Sequence, residues 1–443
     1  MKIFKHLYLN NSVFYGAFFV AVIYILAFFF PFLMNLASIL LLILSLLTFV
    51  DALLLFITKE PIKAQRILPE KLSNGDENFV KIDIKNLYGF NIKTKIIDEI
   101  PFQFQKRDFL IEKNIESKKN IFFQYHLEPK DRGEYSFGSL NVFVILPFGL
   151  VSRKFIFQKD DQLPCYPSFI HLIKYELMAL NNEFMMGGIK KIRRLGHTME
   201  FEQIKEYVPG DDVRTINWKA SSKRNQLMVN QFQDEKSQRI YMIIDKGRTM
   251  QMPFNGLSLL DYSINSAMTL SHIILKKFDK AGMMTFSKKT ENKIAAENKN
   301  GQLKKIAEAL YNINTNFYES DFSRLYQDVK FSINQRSLIL LFTNFETLDA
   351  VNRQMKYLRG IAKNHLLVVV FFKNSEMLQL VGGNPDNMQE VYDEIIAEKF
   401  EMEKKLIIQE LRKHGIYSIY TLPENLNIEV INKYLEIKAR GIL

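Results

Sequence analysis

The chain has 443 residues, of which 47% are hydrophobic and 24% charged, and its net charge is +11. This length allows roughly three domains and excludes a single small module, while 12 prolines and 19 glycines exclude collagen-like and low-complexity chains. The single cysteine, Cys165, excludes an intrachain disulfide and a multi-cysteine zinc site, whereas the positive charge fits either nucleic acid or an anionic membrane surface as a partner.

Two apolar runs open the sequence, at residues 13–30 and 36–57. Each is about long enough to cross a bilayer as a helix, and the uncharged connection between them is too short for a folded loop. Residues 1–60 are therefore predicted to form a transmembrane helical hairpin. A cleaved signal peptide is the alternative, but no small-residue cleavage site separates the runs. Within the second run, Asp51 is expected to be a helix-end acid near the interface, the alternative being an intramembrane functional carboxylate.

Basic residues flank the hairpin on both sides and predict its orientation. By the positive-inside rule, we expect a multi-pass protein of the bacterial inner (cytoplasmic) membrane whose soluble domains lie in the cytoplasm. The flanking residues are Lys2 and Lys5 before the first run, and Lys59, Lys63 and Arg66 after the second.

Residues 61–167 show the alternation of apolar and polar side chains that is typical of β-strands. The pattern is clear at 79–84, and short β-rich runs follow at 120–126, 135–137 and 140–145, separated by turn signals. The sequence therefore predicts a β-sandwich of the immunoglobulin-like type. Nothing in it has catalytic spacing, so we expect an interaction or spacer domain.

Residues 168–238 contain the most distinctive motif of the chain and are predicted to link the domains. The motif reads Gly210-Asp-Asp-Val-Arg-Thr-Ile-Asn-Trp-Lys219. A turn is predicted at Gly210, after which Asp211 or Asp212 is expected to cap a short helix. The side chains expected to share one face of this helix are Val213, Ile216 and Ala220, with Trp218 on another face.

At this motif the chain resembles the bacterial Domain of Unknown Function 58 family. The resemblance implies an N-terminal transmembrane hairpin, a β-domain and a C-terminal von Willebrand factor A-like domain, in the order that the patterns give here. The chain departs from the family at Lys205, where an arginine is common, and at Ser222-Lys223, where Ala-Arg is common. Charge survives both changes, but the bidentate geometry of arginine does not.

The favoured interpretation of the motif is a structural staple, in which Asp212, Arg214 and Trp218 are buried at the junction between domains. The alternative is a docking surface for a partner, or a hinge. The residues assigned to this interdomain or partner-binding role are Glu206, Tyr207, Gly210, Asp211, Asp212, Arg214, Trp218 and Lys219.

Residues 239–443 alternate between β and α patterns, which predicts a doubly wound α/β sheet; the family resemblance specifies a von Willebrand factor A-like domain. Strands are predicted at 239–245, 281–286, 337–343, 366–372 and 416–420, and helices at 257–277, 301–313, 349–362, 387–414 and 428–438. In the long helix at 387–414, the apolar stripe is expected to consist largely of Val391, Ile395, Leu406 and Leu411.

Asp245 is expected at the carboxyl end of its strand, where such sheets bind ligands. The loop resembles the metal-ion-dependent adhesion site of von Willebrand A-like domains, whose Asp-x-Ser-x-Ser oxygens bind Mg²⁺. Gly247 replaces the first hydroxyl, Thr249 keeps the second, and Asn344 stands where the resemblance leads us to expect an aspartate. Mg²⁺ binding is therefore expected to be weak. The alternative is a degenerate loop in which Asp245 acts as a cap or as a partner for Arg248.

The sequence contains no phosphate-binding loop, no dinucleotide fingerprint, no HExxH and no GxSxG motif. An enzyme therefore has little support in the sequence, and the family resemblance implies a non-enzymatic, membrane-anchored adaptor. The family resemblance implies work with a MoxR-type AAA+ ATPase and other envelope proteins in assembling or remodelling envelope or metal-containing complexes. The alternative is a metal-dependent hydrolase, or a subunit of one, that uses Asp245 with Glu346 or the pair Asp211 and Asp212. Nucleic acid is not expected as a partner.

Overall fold

The computed structural model describes residues 6–58, 61–107, 109–158, 160–170, 199–234, 237–315, 317–374, 377 and 387–442, with the backbone alone at 199–203 and 231–234. The chain divides into two compact units, Met1–Tyr166 and Pro167–Leu443. Of the five basic residues on which the orientation rests, Lys2, Lys5 and Lys59 lie outside the described residues, whereas Lys63 and Arg66 lie in the strand Ile62–Ile67, where Arg66 is buried. The division into four segments and the orientation of the hairpin stay predictions.

Two apolar helices begin the first unit, α1 (Asn11–Phe29) and α2 (Leu33–Ile57), and they pack against each other. Both are long and apolar enough to cross a membrane. Many of their large apolar side chains are exposed, as Phe18 is at 71%, which is the exposure expected of helices that face lipid. The two predicted helices are confirmed as elements.

The last turns of α2 are held by a neighbouring β-strand. Asp51 is buried, and its Oδ2 accepts hydrogen bonds from the backbone nitrogens of Leu150 (3.1 Å) and Val151 (2.9 Å). Arg153 reinforces the connection, since its Nη1 donates to the carbonyl of Leu55 at 2.6 Å. Asp51, which was expected to be a helix-end acid near the interface, is thus a buried acceptor in the last turns of the helix that joins the helix to the strand.

Three β-sheets make up the rest of the first unit, as expected for a β-domain. They have the orders β1-β10-β9-β5-β6, β2-β4-β7 and β3-β11-β8. Alternate residues of the first two sheets face one shared core, which includes Ile82, Ile84, Ile96 and Val142. The strands are β1 (Leu7–Leu9), β2 (Ile62–Ile67), β3 (Leu72–Ser73), β4 (Asn78–Asn86), β5 (Ile92–Asp98), β6 (Ile111–Ile115), β7 (Asn120–Leu127), β8 (Gly133–Phe137), β9 (Leu140–Ile145), β10 (Val151–Phe157) and β11 (Asp161–Tyr166).

A buried arginine ties these sheets together. The side chain of Arg66 is fully buried, and its Nη1 lies 2.5 Å from Asp98 Oδ1 while its Nη2 lies 2.7 Å from Asp161 Oδ2. Tyr125 donates to the other oxygen of Asp98, and the guanidinium lies 5.0 Å from the centre of the Phe137 ring. The charge is therefore compensated by two carboxylates on different strands, as burial of an ion requires.

The second unit begins, after residues outside the described range, with a hairpin and then forms an α/β sheet. The hairpin consists of β12 (Met199–Glu206) and β13 (Met228–Asp234), with the short helix α3 (Trp218–Arg224) between them. The sheet has the order β18-β17-β14-β19-β20-β21, parallel except for β18 at one edge. Its strands are β14 (Arg239–Asp245), β17 (Lys280–Phe286), β18 (Thr290–Glu297), β19 (Leu338–Phe342), β20 (Leu366–Phe372) and β21 (Tyr417–Thr421); β15 (Pro253–Phe254) and β16 (Leu257–Ser258) form a small ribbon.

Helices cover both faces of this sheet. Ile243 of β14 packs in one core with Leu358 and Leu411, whereas the sulfur of the preceding residue, Met242, accepts a hydrogen bond from Ser271 on the opposite side. The first face carries α6 (Phe322–Ser332), α7 (Leu348–Asn364) and α8 (Met388–Lys413); the second carries α4 (Leu259–Lys276), α5 (Gln302–Tyr311) and α9 (Leu426–Arg440). The sequence analysis did not predict β18, in which three of eight residues are apolar, or α6, in which five of eleven are.

The apolar stripe predicted for α8 is only partly correct. Leu411 is buried, but Val391, Ile395 and Leu406 are exposed, at 37%, 56% and 37%. The side chains of α8 that are buried are Ala397, Ile407 and Leu411. The first half of α8 thus presents apolar side chains to solvent. Periodicity could not predict this, because it indicates which residues share a face of the helix but not whether another element covers that face.

Candidate functional site

The predicted site residues fall into two groups in the second unit: a signature loop between β12 and β13, and a cleft at the carboxyl edge of the large sheet. The hairpin brings the ends of the loop together, since Tyr207 N donates to the carbonyl of Leu227 at 2.8 Å. Glu206, the last residue of β12, is exposed beside this closing bond. The loop therefore starts and ends at adjacent positions of the two-stranded hairpin.

The first turn of the signature loop is held by Asp211. Its Oδ1 lies 2.8 Å from Lys205 Nζ, and its Oδ2 accepts from the backbone nitrogen of Val208 at 3.1 Å. These two contacts, with Lys205 the larger cause, lower the pKa of the Asp211 carboxyl. Gly210 has a φ of +112°, a conformation that favours glycine because it has no Cβ. Lys205 contacts one oxygen of the Asp211 carboxylate, whereas an arginine could donate two parallel hydrogen bonds to both oxygens.

Asp212 and Asn217 shape the rest of the loop. Asp212 Oδ1 accepts from Arg214 N at 3.0 Å and begins a single 3₁₀ turn, Val213–Thr215. Asn217 then caps α3, since its Oδ1 accepts from Ala220 N at 3.0 Å. The prediction of one helix with Val213, Ile216 and Ala220 on a shared face is wrong, because Ile216 is extended and bridges to Val229.

The exposed side chains of this loop contradict the staple interpretation. Trp218 is 71% exposed and Val213 is 62% exposed, and Asp212 and Arg214 are exposed as well. The polar residues thus bond locally to hold the loop, whereas the large side chains face outward. We define the signature surface as the exposed residues Val208, Val213, Arg214, Trp218, Lys219 and Leu227.

The second group surrounds Asp245, the last residue of β14. Its Oδ1 accepts hydrogen bonds from Gly247 N (2.8 Å) and Ser320 Oγ, and its Oδ2 accepts from Thr343 Oγ1 (2.7 Å). The carboxyl is 1% exposed and forms no ion pair among the described residues. Burial raises its pKa, and the three donors oppose that rise. Asp245 is therefore a cap of its own loop, and it forms no hydrogen bond or ion pair with Arg248 in the described part of the chain.

Ser320 is a functional candidate that the sequence did not reveal. It precedes α6, 75 positions after Asp245, and its hydroxyl reaches the carboxylate from the far side of the loop. A Cβ at Gly247 would lie 2.1 Å from Ser320 Oγ. Ser320 therefore occupies the space that a serine at position 247 would need, and it supplies a hydroxyl to Asp245 from another loop. The sequence contains one indication of this arrangement, which is that Gly247 stands where a hydroxyl residue is expected.

The cleft gathers the three residues predicted to bind Mg²⁺. Asp245, Thr249 and Asn344 line it together with Ser320 and Thr343. Asn344 is 8% exposed and its Oδ1 accepts no hydrogen bond in the described part of the chain. A buried carboxylate without a cation and an unpartnered amide oxygen are the hard donors that fit a divalent cation. Only one of these residues is anionic, and within the described residues no cluster of three His, Cys, Asp or Glu is present, so weak binding is expected.

The chain is similar to proteins whose functions are not known. Residues 203–384, which include the signature loop and the Asp245 cleft, match the family model described as Protein of unknown function DUF58. The uncharacterized protein YeaD of Bacillus subtilis (strain 168) is 26% identical over 171 residues, which are 39% of this chain. The match spans 40% of the length of that relative.

Solved structures also resemble about a quarter of the chain. The PapD-like domain 7 of human CEP192 has 14% sequence identity and a TM-score of 0.19, covering 25% of this chain and 89% of that domain. The CARDB domain of PF1109 from Pyrococcus furiosus has 13% identity and a TM-score of 0.15, covering 24% of this chain and 94% of that domain. At these TM-scores the similarities carry no argument about function.

Proposed function

The chain belongs to the DUF58 family through its residues 203–384, and from this premise we propose that it is a membrane-anchored adaptor that binds a partner protein through its signature surface. The observation that carries the proposal is the 71% exposure of Trp218 beside Arg214 and Lys219. Tryptophan and arginine are the residue types that contribute most to protein interfaces. A large exposed apolar side chain held on a hydrogen-bonded loop is ready to bind without further ordering.

The anchor in this proposal is the hairpin of α1 and α2, inserted in the bacterial inner membrane with the soluble units in the cytoplasm. Support comes from the length and apolar composition of the two helices and from the flanking lysines Lys2, Lys5, Lys59 and Lys63. Arg66 adds nothing to this support, because its charge is compensated by Asp98 and Asp161. The bonds from Asp51 to Leu150 and Val151 would transmit the position of the hairpin to the β-domain. The second unit, with a sheet order and an Asp245 loop that fit a von Willebrand A-like domain, would present the signature surface.

The partner in this proposal is a MoxR-type AAA+ ATPase, as the family resemblance implies, and other envelope proteins would be its clients. The ATPase would supply nucleotide hydrolysis and this chain would supply recognition at the membrane. Mg²⁺ at the Asp245 cleft would neutralise a buried carboxylate and stabilise the loop. No step of recognition depends on that ion.

The alternative, a metal-dependent hydrolase, has less support from the contacts of its candidate carboxylates. Asp211 is bonded to Lys205, and Asp212 is bonded to the backbone of Arg214. Asp245 is buried and both of its oxygens accept hydrogen bonds. A carboxylate that acts as a general base has to reach the proton that it removes.

Affinity purification from native membranes tests the proposal. The full-length chain would be tagged and purified with ATP and Mg²⁺ present, as wild type, as Trp218→Ala and as Phe331→Ala, a matched control because Phe331 is 79% exposed. We expect an AAA+ ATPase, identified by mass spectrometry, with wild type and control, and roughly thirtyfold less with Trp218→Ala. Equal recovery with all three, or no ATPase with any of them, would overturn the proposal.

A further inference from the structure

The turn between β9 and β10 exposes an aromatic side chain. Gly149 N donates to the carbonyl of Leu146 at 2.9 Å. Pro147 and Phe148 are therefore the central residues of this turn and form its tip. Phe148 is 58% exposed, and positions 140–150 contain no charged residue. The tip is thus an uncharged, apolar projection of the β-domain.

Hydrogen bonds connect this turn to both apolar helices. Asn10, the residue before α1, donates from its backbone nitrogen to the carbonyl of Leu150 at 2.9 Å. Its Nδ2 donates to the carbonyl of Gly149 at 3.1 Å. On the other side, Leu150 N donates to Asp51 of α2 at 3.1 Å. The turn therefore lies at the level at which α1 begins and Asp51 stands on α2.

The course of β10 along α2 gives the direction of the tip. Val151, the first residue of β10, donates to Asp51. Two residues later, Arg153 donates to the carbonyl of Leu55, one turn nearer to the end of α2. Strand β10 thus runs toward the end of α2. The tip, which precedes β10, points the opposite way, toward the connection between α1 and α2.

The lengths of the helices place this level at the surface of a bilayer. At about 1.5 Å per residue, Asp51 lies about 27 Å along α2 from its first residue, Leu33, and α1 is about 28 Å long. The hydrocarbon core of a bilayer is about 30 Å thick. With the connection between the helices at one boundary of this core, Asp51 lies at the other. The exposed side chains of Leu53 and Ile57 continue the apolar surface of α2 past this level.

The backbone of the turn suits apolar surroundings. A peptide group without a hydrogen-bond partner is costly in lipid. Here Asp51 accepts from the nitrogens of Leu150 and Val151, and Asn10 donates to the two carbonyls before β10. Pro147, at the tip, has no N–H that would need an acceptor. The turn can therefore enter lipid with most of its polar backbone groups already bonded.

We propose that this turn inserts Phe148 into the bilayer beside α1 and α2, where the acyl chains of the lipids cover the phenyl ring. An exposed phenylalanine that points along two membrane-spanning helices, from the level at which they leave the hydrocarbon core, lies among lipid chains. The β-domain then contacts the membrane at a third point, which fixes its orientation to the bilayer. This insertion depends on the anchor of the proposed function and adds a lipid-binding element outside the two helices.

Fluorescence quenching by brominated lipids tests the insertion. Trp218→Phe removes the single tryptophan of the chain, and Phe148→Trp then places one at the tip of the turn. The full-length variant would be reconstituted in phosphatidylcholine vesicles whose acyl chains carry bromine. A second variant, Phe19→Trp in the same background, reports the anchor, because Phe19 is 63% exposed in the middle of α1. Circular dichroism checks that each variant is folded.

Phe102→Trp is the matched control in the β-domain, since Phe102 is 79% exposed. It follows β5, whose last residue, Asp98, pairs with Leu140 at the start of β9. At about 3.4 Å per residue, Leu140 lies about 17 Å from Ile145, the end of β9 that leads into the turn. Phe102 is therefore at the end of the sheet opposite to the turn, away from the membrane.

The tryptophan at position 148 should lose most of its fluorescence when bromine is near the headgroup end of the acyl chains, and less when bromine is near the methyl end. Position 19 should show the reverse preference, and position 102 should lose none. Quenching at 19 without quenching at 148, or equal quenching at 102 and 148, would overturn the insertion and leave the anchor standing. Absence of quenching at 19 would overturn the anchor, and the insertion with it.

Discussion

Residue 247 and Ser320 compete for one space, since a Cβ at position 247 would lie 2.1 Å from Ser320 Oγ. The backbone of Gly247 is ordinary, with a φ of −73°, so glycine is needed there for room and not for conformation. Ser320 uses that room to donate to Asp245. The hydroxyl that the loop lacks at 247 is therefore supplied by a residue on another segment.

Gly247→Ala should destabilise the second unit by about 1–3 kcal/mol, because the new methyl group displaces the Ser320 hydroxyl. Ser320→Ala alone should cost a similar amount, about 1.5–3 kcal/mol, through the lost hydrogen bond to a buried carboxylate. The double variant should cost less than the sum, because Ser320→Ala removes the atom that clashes. Chemical denaturation of the full-length chain measures all three, and strictly additive costs would contradict this arrangement.

Mg²⁺ should stabilise the wild-type chain through the Asp245 cleft and leave Asp245→Asn unaffected. The neutral amide keeps the size of the side chain but removes the one anionic ligand. At an Mg²⁺ concentration 100 times the dissociation constant, the gain would be about 2.7 kcal/mol. Calorimetric unfolding with and without chelator measures this gain. An equal response of both proteins to Mg²⁺ would place the ion elsewhere.

The side chain of Lys404 should have a pKa well below that of an ordinary lysine. Burial lowers its pKa to about 8 from 10.5, against the opposing effect of Glu346 and two further carboxylates. Because the folded state holds this proton less tightly than the unfolded state, the free energy of unfolding should rise with pH between about 8 and 10.5.

NMR of chain labelled at the lysine ε-carbons measures this titration, with Lys404→Arg to assign the signal. We expect one signal with a midpoint near 8 that disappears in the variant. A signal of Lys404 that titrates at 10.5 would show that the ammonium group is solvated.

Arg66→Met should destabilise the first unit by about 3–5 kcal/mol, because it leaves the buried carboxylate of Asp98 without its cation. Lys93→Met is the matched control: the side chain of Lys93 is 50% exposed in its pair with Glu112, so the change should cost less than about 1 kcal/mol. Urea unfolding followed by circular dichroism compares the two. A similar loss of unfolding free energy in both variants would mean that the buried Arg66 pair stabilises the protein no more than an exposed ion pair does.

The sequence predicted elements best where apolar residues are contiguous. Strands β14 and β20 have the predicted bounds, Arg239–Asp245 and Leu366–Phe372, since a buried parallel strand is apolar on both faces. Ser320 was not predicted, because its contact with Asp245 joins positions 75 residues apart. The exposure of Trp218 was not predicted either, since a large apolar side chain is usually buried and its sequence neighbours do not reveal what covers it.

Photocrosslinking in cells tests the central claim, that the signature surface binds an AAA+ ATPase. A photoreactive phenylalanine analogue would replace Val213 of the signature surface in one strain, which leaves Trp218 intact, and Phe331 in another, both positions being exposed. The account predicts a crosslink to an AAA+ ATPase from position 213 and none from position 331. Crosslinks to the ATPase of equal yield from both positions, or from neither, would contradict it.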